Sequence, residues 1–205
     1  MDAKNRILVW DLPTRVFHWL LALSFLGAFA TSESERLIDV HTVFGYTMLG
    51  LIAFRMIWGV IGTRYARFGE FAFGPGRVGR YLVSIARGAP QHFVGHNPAG
   101  SWAIYAILAL TVLAGASGWA SFNDVGGHFM EELHEGIANT LLAVVFVHIA
   151  GVIVSSLLHR ENLVRAMITG LKSGDPAQAI RSSRPLIGIV LAAGVVAYWT
   201  GIIWQ

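Results

Sequence analysis

Residues 133–159 read LHEGIANTLLAVVFVHIAGVIVSSLLH. Between Gly136 and Leu158 there is no Asp, Glu, Lys or Arg, and the one ionisable side chain is His148. A run of this length is enough for a helix to cross a bilayer core of about 30 Å, which takes roughly 20 residues. An imidazole inside such a run is expensive and marks function. His134 stands at the start of the run, 14 residues before His148. That spacing is close to four helical turns, about 21 Å of rise, so both rings project from one face.

Working outward, four more stretches have the same character, and the expected spans are residues 16–31, 42–61, 102–122, 137–158 and 186–204. The first is short, but Asp11 can cap it and Pro13 is tolerated in a first turn, so its helix is expected to start earlier. Only helices satisfy every backbone group in lipid short of a closed barrel, and no alternating ten-residue strands appear. The fold class is therefore an all-α integral membrane helical bundle. The whole composition agrees: 55% of the 205 residues are hydrophobic and 13% charged, and the mean hydropathy is +0.58. A soluble domain needs more charge to cover its surface.

The absence of cysteine removes disulfides, iron–sulfur clusters, thiolate metal sites and covalent c-type haem, which needs C-x-x-C-H. No cleavable signal peptide is expected, because the first apolar run is broken by Asp11, Pro13 and Arg15.

Charge divides the connecting segments. Lys4, Arg6 and Arg15 precede or open span one; Arg64, Arg67, Arg77, Arg80 and Arg87 follow span two; Arg160, Arg165, Lys172, Arg181 and Arg184 follow span four. The loops TSESERLID and NDVGGHFMEELHE, after spans one and three, are acidic. Basic segments stay cytoplasmic, so the N-terminus is expected inside and the C-terminus outside. Nucleic acid is not an expected partner; the basic residues sort by membrane side. Two basic, part-apolar stretches, RVGRYLVSIARG and RENLVRAMITGLKSG, are expected as short interfacial helices.

Four of the eight histidines obey a depth rule. His18 lies 13 residues before Thr31, and His148 lies 13 residues after Glu135, so they share a depth in the inner half. His41 and His134 both sit at the outer edge. Two imidazole pairs at two depths suit two bis-histidine haem b groups. Zinc or di-iron would want further carboxylate or cysteine ligands at one level, and the spans offer none near His18 or His148. Gly45, Gly50, Gly115, Gly118, Trp19, Phe44 and Trp58 are available to line a flat macrocycle. Arg55, 14 residues after His41 on the same face, and Arg15, one turn before His18, are candidates to meet haem propionates. His159 is read as interfacial; His128, in the outer loop, is a rival to His134 for the outer site, and His134 is preferred because it alone has the helical relation to His148. His92 and His96 are read as structural, with HNPAG opening span three.

The segments VWDLPTRVFHWLL, GHNPAGSWAIYAILAL and LHEGIANTLLAVVFVHIAGVIVSSLLHRENLVRAMITG together resemble the bacterial cytochrome b561 and hydrogenase b-type cytochrome family, over about residues 7–172. The resemblance implies a four-helix di-haem core at 1–172, with His18, His41, His134 and His148 as axial ligands. Residues 173–205 are then a cytoplasmic linker and an extra transmembrane helix. It also implies electron transfer in the bacterial inner membrane between the quinone pool, ubiquinone or menaquinone, and a periplasmic partner. That partner would be a c-type cytochrome, a hydrogenase or another dehydrogenase subunit. The alternative it carries is a superoxide:ubiquinone oxidoreductase.

Overall fold

A computed structural model describes residues 6–203, with side chains through Gly201. Lys4 of the basic N-terminal segment and Trp204 at the end of the fifth expected span lie outside the described residues. The fold is an all-α membrane helical bundle with one small sheet. In chain order it comprises β1 (Arg6–Leu8), α1 (Leu12–Thr31), α2 (Ile38–Ile61), α3 (Pro75–Ala86), α4 (Pro98–Phe122), α5 (His128–His159), α6 (Leu163–Thr169), β2 (Leu171–Ser173) and α7 (Pro185–Ile203).

By length and composition α1, α2, α4 and α5 suit a membrane crossing, and α7 is a shorter apolar helix. Every span begins earlier than its apolar window, because polar turns and caps lengthen helices beyond the hydrophobic stretch. Pro98 opens α4, and the Asn97 side-chain oxygen accepts from the Gly100 amide at 2.7 Å, a cap built from the HNPAG turn. Some hydroxyls within the spans return to their own helix, as Thr140 to the Gly136 carbonyl at 2.8 Å and Thr31 to that of Gly27 at 2.8 Å; lipid offers no other partner. Leu23, Phe29, Ile61, Val147 and Leu186 are exposed, as side chains that face lipid are.

The chain forms two compact units. The first takes in the described residues through Asp11, Ile57–Ile107 and Leu142–Ser183. Its core is Ile7, Val9, Trp10, Tyr65, Ala166 and Ile180. β1 pairs antiparallel with β2, Ile7 opposite Lys172. The Gly170 carbonyl receives the amides of Val9 and Trp10 at 2.9 and 3.1 Å. Gly170 ends α6 at φ 82°, with its amide on the Ala166 carbonyl; only glycine takes that left-handed turn freely. RVGRYLVSIARG is helical from Arg77 to Ala86, in α3. The second basic stretch differs from expectation: its helix is only α6, and LKS continues as strand β2, because Gly170 turns the chain back toward β1.

The second unit takes in Leu12–Met56, Leu108–Leu141 and the described residues from Arg184. α7 packs along α1. At Gly188 a Cβ would come within 2.7 Å of the Leu12 side chain, so the absent side chain lets the helices close. The Trp199 indole donates to Thr47 Oγ1 of α2 at 2.9 Å.

Candidate functional site

His41 enters on the first turn of α2 and His134 on the second turn of α5. Both belong to the second unit, both are half-buried, and their ring centroids lie 6.1 Å apart at an interplanar angle of 87°. His41 Nδ1 lies 2.9 Å from the Ala28 carbonyl of α1. His134 Nδ1 lies 2.9 Å from the Ala114 carbonyl of α4, with Ser117 Oγ at 3.3 Å. A carbonyl can only accept, so each Nδ1 carries the proton and each Nε2 keeps its lone pair. That tautomer is the one a metal-binding histidine adopts, with the far nitrogen held by an outer acceptor.

Metal–nitrogen bonds of about 2 Å on opposite faces of an iron put two imidazole centroids about 6 Å apart. The spacing of this pair therefore suits a bis-imidazole iron. Two helices besides α2 and α5 bear on the geometry. α1 and α4 supply the orienting carbonyls, and α4 supplies room. At Gly118 a Cβ would come within 2.9 Å of the His134 ring, so the imidazole sits where only glycine admits it. On α2, one turn after His41, no atom lies within 4 Å of the place a Gly45 Cβ would take, so that position faces open space. Gly115, by contrast, is filled by Leu49, and Gly27 of α1 by the ring of Phe44.

The other expected residues are placed as follows. His18 is half-buried on α1, its ring edge-on to Trp19 at 5.1 Å. Arg15 is half-buried one turn earlier. Arg55 is 3% exposed, with its guanidinium carbon 6.0 Å over the Phe17 ring, inside the range where an aromatic face attracts a cation. His148 is half-buried on α5. His96 is held between the rings of Trp10 and Phe71, centroids 4.6 and 4.3 Å away. His92 meets His159 edge to face at 5.6 Å. His128 is exposed and within ion-pair distance of Glu131 and Glu132. Trp58 does not act as a free apolar wall; its indole donates to Asp11.

Sequence reasoning missed the orienting carbonyls of Ala28 and Ala114, which any residue type supplies and no motif announces. It also missed the buried network of Asp11, Trp58 and Thr63, although a charged residue inside VWDLPTR was a signal for it. A cavity of about 760 Å³ in the first unit is lined by Arg64, Arg77, His92 and His96 among others. None of the four depth-matched histidines lines it.

Residues 9–170 match the family model described as prokaryotic cytochrome b561. The chain is also similar to a probable Ni/Fe-hydrogenase B-type cytochrome subunit of Rhizobium leguminosarum bv. viciae, with 22% identity covering 82% of this chain and 89% of that protein. No solved structure gives a significant match.

Proposed function

The chain belongs to the prokaryotic cytochrome b561 family, and from that membership we propose that it conducts electrons between a periplasmic redox partner and the quinone pool of the bacterial inner membrane, holding two haem b groups. At the coarser level it is a multi-pass membrane b-type cytochrome of electron transfer. The observation that carries the finer reading is the His41–His134 pair, 6.1 Å between centroids, with each Nδ1 on a backbone carbonyl.

In this reading His41 and His134 hold the outer haem and His18 and His148 the inner one. The inner assignment is supported by matched depth and by α5 running unbroken from His128 to His159. Arg55, buried and cationic, and Arg15 are the proposed partners of haem propionates; a buried guanidinium asks for an anion. Bound haem supplies the one-electron iron couple. The protein's residues fix the imidazole tautomers, set the ring orientations and exclude water, which together tune that couple. Residues 1–172 carry the ligands, and 173–205 form a cytoplasmic linker and a fifth span, α7. The basic loops support an inside N-terminus and an outside C-terminus. The name of the Rhizobium relative favours a hydrogenase as the periplasmic partner over a c-type cytochrome or another dehydrogenase.

The test is the absorption spectrum of protein expressed with haem available. A reduced α-band in the b-haem region with about two haems per chain is expected, and no Soret band overturns the reading. His148→Leu is expected to lose one haem and spare the other; retention of both breaks the pairing. Electron uptake only with a partner protein present supports the conduit. Saturable superoxide oxidation by the isolated protein would make it an oxidoreductase instead.

A further inference from the structure

α7 lies beyond residues 9–170, the part of the chain that the family model matches, yet it is joined to the surroundings of His41 by a continuous series of contacts. The Trp199 indole nitrogen donates to Thr47 Oγ1 at 2.9 Å, and Thr47, itself buried, donates onward to the Val43 carbonyl at 2.8 Å. The Trp199 ring also meets Phe44 edge to face, centroids 5.8 Å apart and planes at 81°. Phe44 stands one turn after His41 on α2. Its ring presses on α1 at Gly27, where a Cβ would come within 2.5 Å of it. The residue after Gly27 is Ala28, whose carbonyl receives the His41 Nδ1 proton at 2.9 Å.

One indole therefore holds both sides of the seam that orients His41. It fixes Phe44 and Thr47 on the helix that carries the ligand. Through Phe44 it also fixes the stretch of α1 that carries the ligand's acceptor. The Trp199 indole is half-buried, and an N–H held away from water without a partner costs about 1–3 kcal/mol, so the contact with Thr47 sets the rotation of the Trp199 ring as well as its position. At the other end of α7, Gly188 closes against Leu12 and fixes the helix along α1. A metal-bound histidine responds to such outer partners, because ring orientation and ligand basicity follow the bond at its far nitrogen.

We infer that Trp199 of α7 is a positioning residue for His41, setting the orientation of that imidazole through Phe44 and the Gly27–Ala28 backbone. The inference rests on the reading of His41 as a haem ligand.

The experiment uses the full-length, haem-loaded protein and reads low-temperature electron paramagnetic resonance and redox titration of each haem. The signal lost in His134→Leu identifies the outer haem. Trp199→Leu is expected to shift and broaden that signal and move its midpoint potential, leaving the other haem unchanged. Trp199→Phe removes the indole hydrogen bond and keeps an aromatic ring, while Thr47→Val removes that bond together with the one from Thr47 to Val43; each is expected to give a smaller shift of the same sign. They keep the test decisive if the leucine variant does not fold. Haem-replete variants with the outer signal unmoved would overturn the inference, as would equal shifts in both haems, which would mark a general packing role. Wild-type protein that takes up no haem would overturn the proposed function instead.

Discussion

The carboxylate of Asp11, the residue that precedes α1, accepts the Trp58 indole proton at 3.1 Å and the Thr63 hydroxyl. Asp11 is 1% exposed. A carboxylate so deep is tolerated because donors surround it, and those donors depend on it in turn. Asp11→Ala is therefore expected to destabilise the protein by about 2–3 kcal/mol, the cost of orphaning buried donors to a charged acceptor. Asp11→Asn, which keeps one acceptor oxygen, should lose less. Thermal unfolding in detergent, followed by tryptophan fluorescence, reads both. Equal stability of the alanine variant and the parent would refute the expectation.

If His134 holds a haem as proposed, Gly118 gives a sharper lever on that site than removal of a ligand. With 2.9 Å between a new Cβ and the His134 ring, Gly118→Ala forces the imidazole to move or tilt. The outer haem is expected to lose occupancy or change its spectrum, while Gly136→Ala, where nothing lies within 4 Å, should be silent. Haem content per chain separates the two.

Lys172 and Glu161 form a buried ion pair at 3.3 Å, with side chains 4% and 14% exposed. Glu161 also accepts the Ser173 amide at 2.8 Å, and Lys172 reaches the Phe93 carbonyl at 3.3 Å. Burial pulls the Lys172 ammonium below the usual lysine range, and Glu161 opposes that pull. Removing one partner leaves a buried charge, so Lys172→Ala is expected to cost about 3–5 kcal/mol. The double variant Lys172→Met with Glu161→Leu should cost clearly less than the sum of its parts. A double-mutant cycle on unfolding midpoints measures the coupling.

Tyr81 of α3 is 1% exposed, and burial raises its phenol above the ordinary tyrosine value of 10.0. The folded chain then holds the proton where the unfolded chain releases it. The stability this contributes is fully present below pH 10 and is lost as pH climbs from there through the raised folded value. Tyr81→Phe should flatten that alkaline decline relative to the parent. Unfolding midpoints of both proteins between about pH 8 and pH 11 test it; parallel curves would count against it.

Hydropathy made the spans legible, because a lipid-facing helix has to be apolar along its whole length. It hid their first turns, since Pro98 and the polar residues before Thr42 belong to helices that begin outside the apolar window. Histidine spacing put His41 and His134 at the outer edge as an expected pair, and in the structure their ring centroids are 6.1 Å apart. What fixes those rings was not legible: Ala28 and Ala114 act through main-chain oxygen, which has no letter in a sequence. The role of Trp199 was hidden for another reason. Its partner Thr47 is 152 positions away, and a tryptophan near the end of an apolar run reads as an interfacial anchor. The β1–β2 pair escaped notice because three-residue strands carry too little pattern to separate from loop.

The pairing of Arg6 with Ser173 has a consequence for biosynthesis. β1 emerges from the ribosome before any span, and its partner strand emerges only after α5 has been made. Through that interval the apolar side chains Ile7, Val9 and Trp10 have no β2 or Ala166 to cover them. The core they form closes only after α5 has been made, since contacts of long sequence separation are slow to form. Chain termination before β2 would thus leave Ile7, Val9 and Trp10 uncovered and open to proteolysis ahead of α1.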